Sequence, residues 1–203
     1  VRCFDSEKIT HVNSKISPSS DLETIKTEIV LSDLDIVQKK LEKGKKKLLE
    51  DKEIKILEEK LNQLDKNQEV KINNEEENRF LSSIGLLSIK PKIIVCNVDE
   101  ENLSKGNQYT EEVQNKYPNE KIIKICADIE DQLSGLDKNE KEAFMQDIGL
   151  NKTGLNQLIK EGYDLLKLDT FFTSGPEESR AWTVRKNTLS LIHISEPTRP
   201  YSI

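Results

Sequence analysis

Two short β-branched runs, Lys92-Ile93-Ile94-Val95-Cys96-Asn97 and Ile122-Ile123-Lys124-Ile125-Cys126, constrain this chain more than any other feature in it. Neither alternates strictly between polar and apolar residues, and Pro91 stands immediately before the first. A nearly continuous apolar run of this length has to bury both faces, as strands inside a parallel sheet do. Parallel neighbours need a crossover, and the segment from Tyr109 to Tyr117 reads as its helix. The expected unit is strand, helix, strand, with functional groups in the loops at the strand C-termini. Asn97 and Cys126 each fall at such an end.

The rest of the chain cannot all be core. Of its 203 residues 33% are charged, 34% are apolar and only 5% are aromatic, a balance that calls for long, solvated helices. The net charge of -6 argues against a uniformly basic nucleic-acid binder, although a local excess of lysine could still meet phosphate. Ser17-Pro18-Ser19-Ser20 is turn chemistry. Ser20 with Glu23 three residues on fits a capping box, so a long helix is expected to start there. Val30, Leu34, Val37, Leu41 and Leu48 form its apolar seam, broken at Gly44. After the polar stretch Glu50-Asp51-Lys52, a second seam follows in Ile54, Leu57, Leu61 and Leu64. The two seams bury each other most simply as an antiparallel helical hairpin. Between positions 39 and 60, nine lysines (39, 40, 43, 45, 46, 47, 52, 55 and 60) face six acidic residues. Such a face is either the solvated exterior of a coiled coil or a contact surface for RNA or a ribosome.

Other helix starts are written in the caps: Asn73 or Asn74 with Glu76 or Glu77, running to about Ser83; Asp137 with Glu140, stopping near Gly149; and Thr153, running to about Leu166. After Leu168 the texture changes. Thr170-Phe171-Phe172-Thr173, a Gly175-Pro176 turn and Ser179-Arg180-Ala181-Trp182-Thr183-Val184 read as the first hairpin of a small β-rich module, which places a domain boundary near 167. Cys3, Cys96 and Cys126 are odd in number and far apart, resembling neither a disulfide framework nor metal-ligand spacing. A reducing cytoplasm is the simplest compartment. No apolar run reaches the roughly 18 residues of a membrane span. Val1-Arg2-Cys3-Phe4, with no initiator Met, reads as a strand already under way, so the chain is expected to begin inside a domain. Residues 189 to 203, from Leu189-Ser190-Leu191-Ile192-His193 through Pro197-Thr198-Arg199, resemble the translation of a transposase-type sequencing-library adapter and are expected to be foreign to the fold.

With Asn97-Val98-Asp99-Glu100 set after a buried strand, the chain resembles the YchF/Obg-like ATPases over nearly all of residues 1 to 188. Val1-Arg2-Cys3-Phe4, Asp21-Leu22-Glu23-Thr24-Ile25 with Asp33-Leu34, Phe144-Met145 through Gly149-Leu150, Gly154-Leu155-Asn156, Phe171-Phe172-Thr173 and Arg180-Ala181-Trp182-Thr183 support the likeness. The resemblance implies an α/β fold: the C-terminal part of a P-loop NTPase parallel sheet (1 to 166) with an inserted antiparallel α-helical hairpin (about 21 to 72), then the start of a TGS domain (167 to 188). It also implies ATP as ligand, hydrolysed with GTP poorer, Mg²⁺ in the intact protein, and a ribosome as partner in the cytoplasm.

The base-reading residues the resemblance implies are Asn97, Val98 and Glu100, with Cys126 and Ala127 in a second loop. In related GTPases the fourth motif position is an Asp, whose two oxygens accept from guanine N1–H and the 2-amino group. Adenine offers neither donor. Here that position is Glu100, and the second, commonly Lys, is Val98. Asn97 can offer its amide to the purine edge and the Val98 main chain can meet the adenine 6-amino and N1 groups, while Glu100 removes the guanine-selective contact. Neither a Gly-x-x-x-x-Gly-Lys-Ser/Thr motif nor the family's Asp-x-x-Gly segment that senses the γ-phosphate is present, so the phosphate cradle and the Mg²⁺ ligands are missing and the fragment itself is expected to be inactive. An alternative reading is a ribosome- or RNA-binding adaptor with a non-catalytic nucleotide site.

Overall fold

The computed structural model describes residues 1–6, 16–44, 49–150, 152–176 and 178–187. They form two compact units, Val1–Lys124 and the described part of Ile125–Ile203. The fold is a mixed α/β one. Leu48 of the expected seam, lysines 45 to 47 and the adapter-like tail lie outside the described residues.

The first unit opens its helical part with α1, Pro18–Lys43. It begins two residues before the expected capping box at Ser20. Proline already has helical φ and has no N–H to leave unsatisfied, so Pro18 takes the first helical turn and Ser17 the capping position. Ser20 is thereby inside the helix, where its carbonyl accepts from the Thr24 hydroxyl (3.1 Å). Glu23 is used elsewhere, pairing with Lys116 (2.5 Å). At the far end Gly44 is where the apolar stripe breaks: a Cβ there would lie 2.6 Å from Leu49 Cδ1.

The second helix, α2, spans Asp51–Asp65, and the Glu50 amide donates to Glu53 Oε2 (2.9 Å) at its start. A third, α3 at Glu75–Ser83, is capped by Asn74, whose side-chain oxygen accepts from the Glu77 amide (2.9 Å). Val30, Val37 and Leu41 pack with Leu57, Leu64, Leu81 and Leu86 into one core. Lys26, early in α1, pairs with Glu69, just past the end of α2 (3.1 Å), as the antiparallel sense requires.

Two buried polar groups fix this arrangement. Asp33 is fully buried on α1 and its two carboxylate oxygens accept from the main-chain amides of Leu87 (2.7 Å) and Ser88 (2.8 Å). Lys60, counted in sequence among the solvated lysines, is instead fully buried on the inner side of α2, where its ammonium meets Glu77 (2.5 Å) and Glu59 (3.0 Å).

Beyond this core lie β1 (Ile93–Asn97), the short α4 (Asn102–Lys105), α5 (Gln108–Lys116) and β2 (Lys121–Ile125), as the strand, helix, strand pattern requires. β1 and β2 are hydrogen-bonded neighbours. On the other edge of β1 the first residues run alongside in parallel: the Val1 ammonium donates to the Val95 carbonyl (2.7 Å), Asn97 N–H to the Val1 carbonyl (2.8 Å) and Cys3 N–H to the Asn97 carbonyl (2.7 Å).

The second unit carries α6 (Ala127–Ser134), α7 (Lys138–Asp147) and α8 (Gly154–Leu165), then the hairpin of β3 (Leu168–Ser174) and β4 (Ser179–Arg185). Asp137 and Thr153 cap α7 and α8 as their sequences predict. The hairpin pairs antiparallel from Leu168 with Arg185 to Ser174 with Ser179, and Phe171 stacks on Trp182 across it at 6.5 Å between ring centres. Glu130 on α6 accepts from the Gly154 amide (2.5 Å) and the Leu155 amide (3.3 Å), so a carboxylate sits at the N-terminus of α8, where the helix dipole favours it. Among the described residues no helix is long and apolar enough to cross a membrane.

Removing one partner of a buried ion pair leaves the other charge uncompensated. Glu77→Ala and Lys60→Met, each of which removes one partner of the pair, are therefore each expected to cost about 3 kcal/mol of unfolding free energy in urea titration, while the double replacement Lys60→Met with Glu77→Leu, which removes both charges and keeps the volume, costs markedly less.

Candidate base-recognition loop

The loop begins where β1 ends. Both main-chain groups of Asn97 are used by the neighbouring segment, its N–H by the Val1 carbonyl and its C=O by the Cys3 amide. Val98 has only 2% of its surface exposed and packs with Cys3, Ile94, Cys96 and Val113. Its side chain is an anchor. Glu100 is exposed, and its carbonyl accepts from the Leu103 amide (3.2 Å). Cys126 and Ala127 belong to the second unit: Cys126 is buried at the capping position of α6, and Ala127 is its exposed first residue. A helix at this point is absent from the sequence reading, which has a loop there.

Several residues that hold the loop were missed in sequence. Asp99 Oδ1 accepts two hydrogen bonds from one residue, from the Asn102 amide (3.2 Å) and the Asn102 carboxamide (2.6 Å). An Asp whose side chain can fold back onto a main-chain amide two or three residues on is turn chemistry, and this was the available signal. Next, α4 ends at Gly106, which has φ +82 and whose added Cβ would meet Thr110 Oγ1 at 2.7 Å. Asn107 then caps α5: its side-chain oxygen accepts from the Tyr109 and Thr110 amides (both 3.1 Å), and its side-chain nitrogen donates to the Cys3 carbonyl (2.6 Å). The Asn107 amide donates to Thr110 Oγ1 (2.9 Å), completing a reciprocal box.

The surrounding electrostatics are quiet rather than reactive. The Cys3 thiol is pushed well above the ordinary thiol range, first by its hydrogen bond with Cys96 and then by burial, so it stays protonated. Tyr109 donates to the Asp5 carboxylate (3.0 Å), which raises its phenol pKa. A cavity of about 350 Å³ in the same unit is walled by Ile25, Lys26, Glu69, Lys92, Lys116 and Tyr117 among others, and none of residues 97 to 100 lines it. Among the described residues there is no group of three or more His, Cys, Asp or Glu side chains that could hold a metal ion.

No protein-family model matches the chain. It is 36% identical over 193 residues to the Ribosome-binding ATPase YchF of Escherichia coli O157:H7, covering 91% of this chain and 53% of that protein. To the protein of the same name from Bacillus subtilis it is 34% identical over 198 residues, covering 92% of this chain and 54% of the relative. Among solved structures, the Schizosaccharomyces pombe YchF GTPase is similar with a TM-score of 0.76 at 28% identity, over 93% of this chain and 54% of that one. The chain is thus homologous to the YchF proteins along nine-tenths of its length, and it spans about half the length of the curated relatives it matches.

Replacing Gly106 with Ala puts a Cβ both at positive φ and against Thr110, and is expected to cost about 2 kcal/mol. Asn107→Ala removes the cap and the Cys3 tie together and is expected to cost at least about 1 kcal/mol. Thermal and urea unfolding of the two variants check both figures.

Proposed function

We propose, from this kinship with the YchF proteins, that the chain carries the base-selecting half of the ATP site of a ribosome-associated P-loop ATPase. One observation carries the reading: Asn97-Val98-Asp99-Glu100 is a loop at the C-terminal end of a strand hydrogen-bonded on both edges, with Val98 turned into the core. In an open α/β sheet that is where ligands are bound. Asn97 would read the purine edge through its amide and Val98 would read it through its main chain. Glu100, in place of Asp, lacks the geometry that grips guanine N1–H and the 2-amino group. Adenine is then preferred because guanine loses its best partner, leaving buried polar groups unmatched. Cys126 and Ala127 enter the proposal as main-chain neighbours of the purine on the strength of the resemblance alone.

The phosphate side does not fit. The sequence offers no Gly-rich loop with its Lys and Ser or Thr, and the described residues offer no carboxylate cluster for Mg²⁺. No hydrolytic step can be assigned to these residues. Hydrolysis of ATP, with GTP poorer, belongs in this proposal to a protein that also holds a phosphate loop. The hairpin is proposed as an insertion into the nucleotide-binding domain, residues 167 to 188 as the start of a TGS domain, and 189 to 203 as a foreign tail. A cytoplasmic location follows from a ribosomal partner. Ribosome or RNA contact is proposed for the exposed lysines of the hairpin, since phosphate attracts such a face even on an acidic protein.

Titrating the chain with AMP and GMP and following main-chain amide shifts tests the base reading. Weak binding with adenine preferred is expected, and Glu100→Asp should move the ratio toward guanine by about tenfold; an unchanged ratio removes the argument for Glu100. For the hairpin, Lys39→Glu, Lys43→Glu and Lys55→Glu together are expected to lower co-sedimentation with ribosomes and flatten its salt dependence.

A further inference from the structure

We infer that Asp99 and Asn102 form a positioning pair that holds the base-reading loop in its working shape. The inference rests on the base-recognition reading of Asn97 to Glu100 and assigns what keeps that loop in place. Val98 is fixed from below by its buried side chain. The next fixed point is Asn102, the first residue of α4. Between them lie Asp99, Glu100 and Glu101, a span that in an exposed loop samples many main-chain conformations. Asp99 removes that freedom. Its Oδ1 takes the Asn102 amide at 3.2 Å and the Asn102 carboxamide at 2.6 Å, so a single oxygen binds the start of the loop to the start of the helix.

Glu100 is consequently bracketed. The residue before it is held through its side chain, and its own carbonyl is held by the Leu103 amide at 3.2 Å. Hydrogen bonds to a charged acceptor are among the stronger ones available to a half-exposed loop. Recognition by main-chain groups demands such a constraint, because a peptide plane turned by tens of degrees no longer presents its N–H and C=O to a flat base. The same geometry assigns Asp99 a different role from Glu100. With Oδ1 already engaged twice within the loop, Asp99 shapes the site without reading the base.

Two variants separate this from a merely structural role. Asp99→Ala removes the acceptor; Asp99→Asn keeps a side-chain oxygen that can take both Asn102 donors. In the full chain, Asp99→Ala is expected to speed hydrogen exchange of the Asn102 amide and to weaken AMP binding, each by about tenfold. The melting temperature should stay within about 2 °C of wild type. Asp99→Asn should restore both exchange protection and AMP affinity. Unchanged Asn102 exchange in Asp99→Ala would overturn the pair, as would faster exchange with AMP affinity intact. Equal AMP binding by wild type and Asn97→Ala would overturn the base reading, and this inference with it, while the exchange result would still show which of the two had failed.

Discussion

The candidate site depends on β1 being held along both edges. One edge is paired with β2; the other is tied to Val1 and Cys3 through three main-chain hydrogen bonds of 2.7 to 2.8 Å. A strand gripped in this way cannot slide, because a one-residue slip would turn Ile94, Cys96 and Val98 out of the core and Val95 and Asn97 into it. The alternation fixes where the loop starts: Asn97 is the last paired residue and Val98 the last buried one. Everything chemical at the loop is referred to that point.

Much of this was legible in the sequence, because both strands and most helix starts are written in short-range physics. The β-branched runs become β1 and β2. The Asn74, Asp137 and Thr153 caps each accept the amide three residues on. What escaped was set by competition or by distance. At the head of α1, Ser20 with Glu23 was a valid capping pattern, but Pro18 already had helical geometry and Glu23 had a distant lysine to meet. Lys60 sits at a position where a lysine ordinarily faces water, and its burial is made tolerable by Glu77, which approaches from α3, together with the neighbouring Glu59. The helix after β2 was hidden because the resemblance placed Cys126 and Ala127 in a loop, whereas Ile129 and Leu133, four apart, are the buried face of a helix that starts at Ala127.

At the loop itself, the sequence motif drew attention to the residues proposed to read a base and away from those that hold the loop. Asp99 looked like the unassigned third position of a four-residue signature. Its significance comes from Asn102, outside the signature, and from Gly106 and Asn107, which end one helix and begin the next. These side chains have no periodicity with the core. They are read by asking where each loop amide finds its acceptor.

Asp33 joins parts that the sequence keeps more than fifty residues apart. It stands part-way along α1, and the two amides it accepts belong to Leu87 and Ser88, on the approach to β1. The helix continues from Asp33 to Lys43, about 15 Å farther along its axis. Shifting the helix against the entry to the strand would break two hydrogen bonds to a fully buried carboxylate, so this one side chain ties the arm to the strand's approach.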